Sequence, residues 1–206
     1  MTKETIITYL DTLYPNAHCE LNYKNNYELL IAVILSAQTT DKKVNQVTPI
    51  LFWQYPNFMA LKEADIENVI SIIKPLGLAS SKGKNIILTA KKIVDEYHNE
   101  IPTTKEELLS LPGVGKKVAE VYMGDALGAN VFPVDTHVNR VANRLEITDS
   151  PNPNIISKDL NNFFEGENLM KLHHQFIFFG RYFCKAINPN CDNCLLKCKY
   201  SKSKTS

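Results

Sequence analysis

The sequence lacks any apolar run long enough to cross a membrane. Its longest uninterrupted aliphatic stretch, residues 29–35, has seven residues, whereas a membrane-spanning helix needs about 20. The first residues also lack an apolar segment followed by a small-residue cleavage site, so we expect no signal peptide. These absences exclude membrane, secreted, fibrous and disordered classes and favour a soluble, cytoplasmic, globular protein.

Net charge is also nearly absent, because 23 basic and 22 acidic residues give +1. The charge is unevenly distributed: the segment from Arg181 onward carries +5 and the remainder carries −4. A basic segment of this kind is compatible with contact to a polyanion, although a solvated lysine-rich tail has the same composition. A chain of 206 residues buries roughly 70% of its unfolded surface, so disulfides are not required for stability.

Strand patterns are scarce, and helical periodicity dominates the chain. Residues 27–37 are apolar on all sides, which predicts a buried central helix. A possible strand at residues 130–134 has no evident partner. The sequence therefore predicts an all-α protein. Amphipathic helices are predicted over residues 5–13, 43–55, 62–73 and 82–97.

The first strong motif is the string LPGVGKKVA at residues 111–119. Before it, Thr104 and Glu107 have the spacing of a capping box, which predicts a helix from about residue 105. Gly113 and Gly115 leave the following turn bare and permit positive φ. The free amides at the start of the next helix then form an anion site. This string resembles the helix–hairpin–helix motif of DNA-binding proteins, which implies contact with backbone phosphates.

Lys116 and Lys117 follow the turn, within the first turn of the second predicted helix. The helix dipole and the neighbouring charge both favour the neutral amine of Lys117, which is its nucleophilic form. Alternatively, both lysines only bind phosphate. Eighteen residues after Lys117, Asp135 is the second residue of the string VDTHVNR and precedes a predicted helix, where it can act as an N-cap.

These two strings, in this order, resemble the helix–hairpin–helix DNA glycosylase superfamily and, within it, the endonuclease III family. The resemblance extends over about residues 21–200. It implies that Lys117 attacks the sugar C1′, that Asp135 supports the attack, and that the resulting Schiff base permits β-elimination 3′ to the abasic site. It also implies that Lys116, with Gly113 and Gly115, contacts DNA; His137 is interpreted as structural or phosphate-contacting.

Two loops resemble those with which this family fills the space left by an extruded base. In the first, residues 35–41, the resemblance implies that Gln38 inserts opposite the extruded base. In the second, residues 75–82, it implies that Leu78 is an apolar wedge. The residues alone leave other interpretations open, since Leu78 could pack inward, and Asp41 could be a helix cap.

Four of the five cysteines form the pattern Cys184-x6-Cys191-x2-Cys194-x3-Cys198. Clustered thiols in a cytoplasmic protein indicate a metal site rather than disulfides, and the spacing is not typical of a zinc ribbon. Its first part resembles the [4Fe–4S] loop of endonuclease III, which implies four thiolate ligands and a structural cluster. The family usually has five residues between its last two cysteines, whereas this chain has three. Lysines on or beside the loop, Lys185, Lys197 and Lys199, would then face DNA phosphates.

The resemblance implies a six-helix barrel at residues 22–132, with the helix–hairpin–helix at about 105–125, and an iron–sulfur domain formed by residues 1–21 and 133–206. Double-stranded DNA with damaged bases or abasic sites would lie in a groove between these domains of a monomer associated with the nucleoid. The implied function is a bifunctional glycosylase and abasic-site lyase for oxidised pyrimidines. The alternatives are a monofunctional mismatch glycosylase of the same fold and a non-catalytic DNA-binding or electron-carrying cluster protein.

Overall fold

The computed structural model describes residues 1–196, 198 and 200. Within these residues it contains eleven α-helices, a 3₁₀ turn and a π-helical turn, and no strand, which confirms the all-α prediction. No helix in this part of the chain is long and apolar enough to cross a membrane. The helices are α1 (Lys3–Leu13), α2 (Asn26–Leu35), α3 (Asp41–Gln54), α4 (Phe58–Lys62), α5 (Ile66–Ile73), α6 (Ala79–Glu96), α7 (Lys105–Leu109), α8 (Lys116–Leu127), α9 (Thr136–Arg144), α10 (Pro153–Phe163) and α11 (Leu169–Phe178); the 3₁₀ turn is Lys74–Leu76 and the π-helical turn Phe179–Phe183.

One predicted helix, at residues 62–73, is interrupted in the structure. Helix α4 ends at Lys62, and α5 begins after Asp65. The Asp65 carboxylate accepts a hydrogen bond from the backbone N–H of Asn68 at 3.2 Å. An N-cap of this kind starts a new helix, so the apolar pattern continues across a break in the backbone.

The chain divides into two compact units. The continuous unit is formed by residues 20–128, and the composite unit by residues 1–19 together with the described residues from 129 onward. In the structure the units divide after residues 19 and 128. The sequence placed the corresponding boundaries after residues 21 and 132, which is two and four residues later.

Helix α2 forms the centre of the continuous unit. Every residue from Leu29 to Leu35 is buried, as the all-apolar pattern predicted. Helices α3, α6 and α8 pack against it. The start of α8, where Lys116 and Lys117 lie, therefore belongs to a helix anchored on the core.

The composite unit joins the two ends of the chain through a shared core. Helix α1 packs against α11. The ring of Tyr9 on α1 meets Phe179 and Phe183 edge-on, with centroids 6.2 Å apart in both pairs. Its hydroxyl donates a hydrogen bond to the backbone carbonyl of Asn193 at 3.3 Å. The first helix thus supports the chain segment that carries the clustered cysteines.

Candidate functional site

The helix–hairpin–helix segment is formed by α7 and α8 of the continuous unit. Helix α7 begins at residue 105, as the sequence predicted. Thr104 Oγ1 accepts from the backbone N–H of Glu107 at 3.3 Å, and its hydroxyl donates to Glu107 Oε2 at 2.5 Å. From α6, the hydroxyl of Thr89 donates to the carbonyl of Pro112 at 2.7 Å. The hairpin turn, residues 110–115, is therefore held at its start and at its centre.

The two glycines of this turn have different roles. Gly113 has a φ of +80°, and a Cβ at this position would lie 3.0 Å from the side chain of Asn85 and 3.1 Å from that of Ile34. Gly115 has an extended backbone, with φ −88° and ψ 176°, and a Cβ there would meet nothing within 4 Å. Of the two glycines that permit positive φ, only Gly113 adopts it, because one left-handed residue suffices to reverse the chain. Gly115 is the N-cap of α8 and gives its first amides no side-chain partner.

The lysines near this turn differ in their partners. Glu120 is buried, and its Oε1 lies 2.7 Å from Lys105 Nζ and 3.8 Å from Lys116 Nζ. Lys117 is half-buried, and its side chain has no hydrogen bond or ion pair with any described residue. Sequence reasoning missed Glu120, although its position four residues after Lys116 is the spacing of a helical ion pair. Lys117 is therefore the lysine that the protein leaves available for a ligand.

Asp135 lies in the composite unit, at the start of α9. Its Oδ1 accepts hydrogen bonds from the backbone N–H groups of His137 at 2.9 Å and Val138 at 2.8 Å. The structure thus shows the N-cap that the sequence suggested. Within the described chain Oδ2 accepts no hydrogen bond, so one oxygen orients the carboxylate and the other remains available.

His137 is held against the π-helical turn. Arg140 Nη2 lies 3.2 Å from His137 Nδ1 and donates to the carbonyl of Gly180 at 2.7 Å. A Cβ at Gly180 would come within 3.0 Å of the His137 Cβ. This close packing gives His137 a structural contact, and its contact with DNA phosphate stays a prediction.

The two candidate filling residues share an unusual backbone conformation. Gln38 and Leu78 have φ of +55° and +52°, and both side chains are exposed. Non-glycine residues seldom adopt positive φ, and such strain concentrates at functional sites. Leu78 is 59% exposed, so the inward-packing alternative is wrong. The capping alternative for Asp41 is also wrong, because Thr40 is the N-cap of α3 and Asp41 is its first residue.

The four clustered cysteines line one pocket of the composite unit. We call residues 184–196 and 198 the cysteine loop. Burial raises the pKa of the Cys184 thiol, and a hydrogen bond from Arg144 opposes this effect. Among the described residues, no group of three or more His, Cys, Asp or Glu side chains is arranged to hold a metal ion. Lys197 and Lys199, predicted to contact DNA, lie outside the described residues, as do Lys202 and Lys204.

Arg144, at the last residue of α9, binds the start of the cysteine loop. Its Nη1 donates to the Cys184 sulfur and carbonyl, both at 3.3 Å, and to the Lys185 carbonyl at 2.7 Å. Its Nη2 donates to the Ala186 carbonyl at 3.3 Å, and the guanidinium lies 3.9 Å from the ring centre of Tyr200. Sequence reasoning missed this residue. The available signal was its position four residues after Arg140, which places both arginines on the same face of the predicted helix.

Comparison with known proteins identifies the family of the chain. Residues 31–165 match the family model described as the HhH-GPD superfamily base excision DNA repair protein. The chain belongs to this superfamily. The resemblance of its hairpin and VDTHVNR strings to helix–hairpin–helix DNA glycosylases is thereby confirmed.

Relatives within this superfamily narrow the resemblance to endonuclease III. The endonuclease III of Rickettsia conorii (strain ATCC VR-613 / Malish 7) is 42% identical over 188 residues, which are 90% of either chain. A solved structure of a non-covalent endonuclease III–DNA complex is 38% identical and has a TM-score of 0.93 over 100% of this chain and 99% of that one. A trapped endonuclease III–DNA covalent intermediate matches with the same identity and TM-score over 100% of both chains. The predicted similarity to endonuclease III is confirmed.

Proposed function

We propose that the chain is a bifunctional DNA glycosylase and abasic-site lyase of base excision repair that removes oxidised pyrimidines. The observation that carries this proposal is Lys117, which stands without an ion pair among the described residues in the first turn of α8, directly after the bare hairpin turn. The solved endonuclease III structures support it, since one is a complex with DNA and the other a trapped covalent intermediate with DNA.

The hairpin turn binds a phosphate of the DNA backbone. Gly113 reverses the chain, and Gly115 leaves the first amides of α8 uncovered. Amides at a helix N-terminus attract anions through their free N–H groups and the helix dipole. Lys116 adds a positive charge beside them. Such contacts position the duplex without reading its sequence.

Lys117 is the nucleophile in this proposal. Its neutral amine attacks C1′ of the damaged nucleotide, the bond from C1′ to the base breaks, and the electron pair leaves with the base. One proton of the amine passes to the departing base and the other to O4′ as the bond from C1′ to O4′ breaks, so that the sugar ring opens to a Schiff base. Loss of a proton from C2′ then expels the 3′ phosphate and cuts the strand. Asp135 stabilises the positive charge that develops on the sugar, and its unpartnered Oδ2 is suited to this role.

Gln38 and Leu78 occupy the space that the extruded nucleotide leaves. A glycosylase cannot reach its target inside the stack, so it must stabilise an open duplex. Both residues are exposed on turns with positive φ. Leu78 provides an apolar surface for the neighbouring bases, and Gln38 provides an amide for hydrogen bonds.

The cysteine loop holds a [4Fe–4S] cluster in this proposal, with Cys184, Cys191, Cys194 and Cys198 as ligands. The donor set fits in its chemistry, because such a cluster takes four thiolates, one on each iron, and the four cysteines border one pocket, although the described residues do not bring three of them into a group that could hold a single metal ion. Three residues separate the last two cysteines, and four Cα steps still span up to roughly 13 Å. When bound, the cluster supplies a structural core for the loop rather than a redox step. Absorbance at about 400 nm with about four irons per chain is expected, whereas stoichiometric zinc would refute the assignment.

Borohydride trapping on a duplex with one abasic site tests the proposed chemistry. We expect the wild-type protein to form a covalent band with DNA, because borohydride reduces the Schiff base to a stable amine. Lys117→Ala should form none, while the matched control Lys116→Ala should keep the band and bind DNA more weakly. A band that survives Lys117→Ala would assign the nucleophile elsewhere. If folded wild-type protein binds DNA but forms no band, the mismatch-glycosylase and non-catalytic alternatives would be favoured instead.

A further inference from the structure

Lys82 is a buried lysine that the proposed chemistry does not use. The residue is 5% exposed, and its Nζ donates to the backbone carbonyl of Leu76 at 3.3 Å. Desolvation lowers the pKa of its side chain. A buried ammonium is unfavourable unless the structure gives it a partner. The location of the Leu76 carbonyl therefore indicates which part of the protein Lys82 stabilises.

The partner lies on the turn that presents Leu78. The backbone N–H of Lys82 donates to the carbonyl of Leu78 at 2.9 Å, while its ammonium binds the carbonyl of Leu76. Between these two carbonyls lie Gly77 and Leu78, with φ of +70° and +52°. One residue thus fixes both ends of a left-handed turn.

This turn combines two unfavourable features. A leucine in the left-handed region is strained because its Cβ approaches the following carbonyl. Its side chain is also 59% exposed, which forgoes the stabilisation of a buried apolar group. Such a conformation persists only where the surrounding structure holds it. The backbone bond to Leu78 would form with any residue at position 82, whereas the bond to the Leu76 carbonyl is supplied by the Lys82 side chain alone.

The same helix also holds the hairpin turn. Thr89, seven residues after Lys82 on the buried face of α6, donates to the carbonyl of Pro112 at 2.7 Å. Seven residues are about two helical turns, or roughly 10 Å along the axis. Helix α6 therefore sets the position of the Leu78 turn relative to the turn that binds phosphate.

We propose that Lys82 is a positioning residue for base extrusion, which holds Leu78 in place to enter the base stack once the hairpin has bound the backbone. This inference rests on the proposed function. The wedge matters most when the target base is firmly paired, because unpaired bases leave the stack at lower cost. Loss of Lys82 should therefore impair extrusion rather than the attack by Lys117.

The test compares Lys82→Met with wild type by single-turnover base release from two duplexes. In one, an oxidised pyrimidine faces its normal partner; in the other, it faces an abasic position. We expect release to fall about tenfold or more on the paired duplex and less than about threefold on the unpaired one. The matched control Lys84→Met removes a charge from an exposed position of the same helix and should leave the ratio between duplexes unchanged.

A double-mutant cycle connects the effect to the wedge. On a Leu78→Ala background, Lys82→Met should cause no further loss that is selective for the paired duplex. If Lys82→Met does not fold, Lys82→Gln supplies the same comparison with a shorter, neutral donor. Equal losses on both duplexes would overturn the inference. No release from either duplex by the wild-type protein would instead count against the proposed function.

Discussion

The hairpin turn and the cysteine loop are both irregular segments beside helices, but they are stabilised differently. The hairpin turn closes partly on its own backbone, with Val114 N–H donating to the Leu111 carbonyl at 3.1 Å, and both of these side chains are buried. Neighbouring side chains of α6, among them Thr89, donate to its carbonyls as well. The cysteine loop takes donors from another helix, since Arg140 and Arg144 of α9 bind its first three residues. The hairpin turn is therefore held by α6 and by its own buried side chains and is ready for a ligand, whereas the cysteine loop depends on the two arginines of α9 and on what fills its pocket.

Substitutions in the two segments should therefore affect different properties of the protein. Changes in the hairpin turn that respect its backbone should alter DNA binding and leave stability unchanged. Changes in α9 that release the loop should reduce stability first. Helix α9 allows the strongest test, because its N-cap, Asp135, is a candidate for chemistry and its last residue, Arg144, is the anchor of the loop.

The largest expected effect is at Asp135, where charge and capping can be separated. Asp135→Asn keeps the cap, because asparagine is an equally good N-cap, and should change stability by only a few tenths of a kcal/mol. It should lower the single-turnover rate about 10²–10³-fold, because it removes the charge that stabilises the sugar. Asp135→Ala should lose the same activity and about 1 kcal/mol of unfolding free energy. An asparagine variant with wild-type activity would reduce Asp135 to a helix cap.

A smaller effect is expected at Arg144, where the loop is anchored. Arg144→Lys retains the charge but loses the planar fork that reaches several carbonyls. We expect the unfolding free energy, measured by denaturant unfolding, to fall by about 2 kcal/mol. The iron content, measured by absorbance, should decline when the protein is diluted. Gly115→Ala, in the other unit, should retain all its iron. Equal iron retention in both variants would show that the loop does not need its external donors.

The smallest effects, and the most contrasting, are expected from the two hairpin glycines. Gly113→Ala forces positive φ on alanine and should cost about 1–2 kcal/mol in thermal unfolding. Gly115→Ala meets no atom of the protein and should change stability by less than about 0.5 kcal/mol. It should nevertheless weaken DNA binding about threefold to tenfold in fluorescence anisotropy, because its methyl group covers amides that bind phosphate. Unchanged binding by this variant would exclude the bare turn as the phosphate site.

The sequence predicted those parts of the fold that depend on local pattern. The all-apolar segment around residues 29–35 became the buried helix α2, and the spacing of Thr104 and Glu107 set the start of α7. The helix predicted from residue 62 begins at residue 66 in the structure; its start was placed too early because the apolar periodicity continues back into α4. The conformation of Gly115 could not be read from the sequence, because a glycine permits positive φ without requiring it.

The candidate site was predictable only where the residues form strings. Lys117 and Asp135 were found in motifs, whereas Glu120, Arg144 and Lys82 act through partners that folding brings to them. The signal for Lys82 was present but weak. It lies on the buried face of α6 with Ile86 and Ile93, where a lysine interrupts an apolar face and indicates a buried polar partner.

The two segments of the composite unit are separated in the sequence by residues 20–128. The ribosome therefore makes them at different times, and this determines the order in which the two units can fold. Helix α1 emerges from the ribosome before residues 20–128, and its Ile6 and Leu10, which are buried in the folded protein, then have no partner. Residues 20–128 follow and form their own compact unit, which can fold before the rest of the chain exists. Only after α11 emerges can the first helix find its core, and the cysteine loop comes later still. Loading of a metal group would therefore be a late maturation step on a nascent chain whose hairpin is already folded.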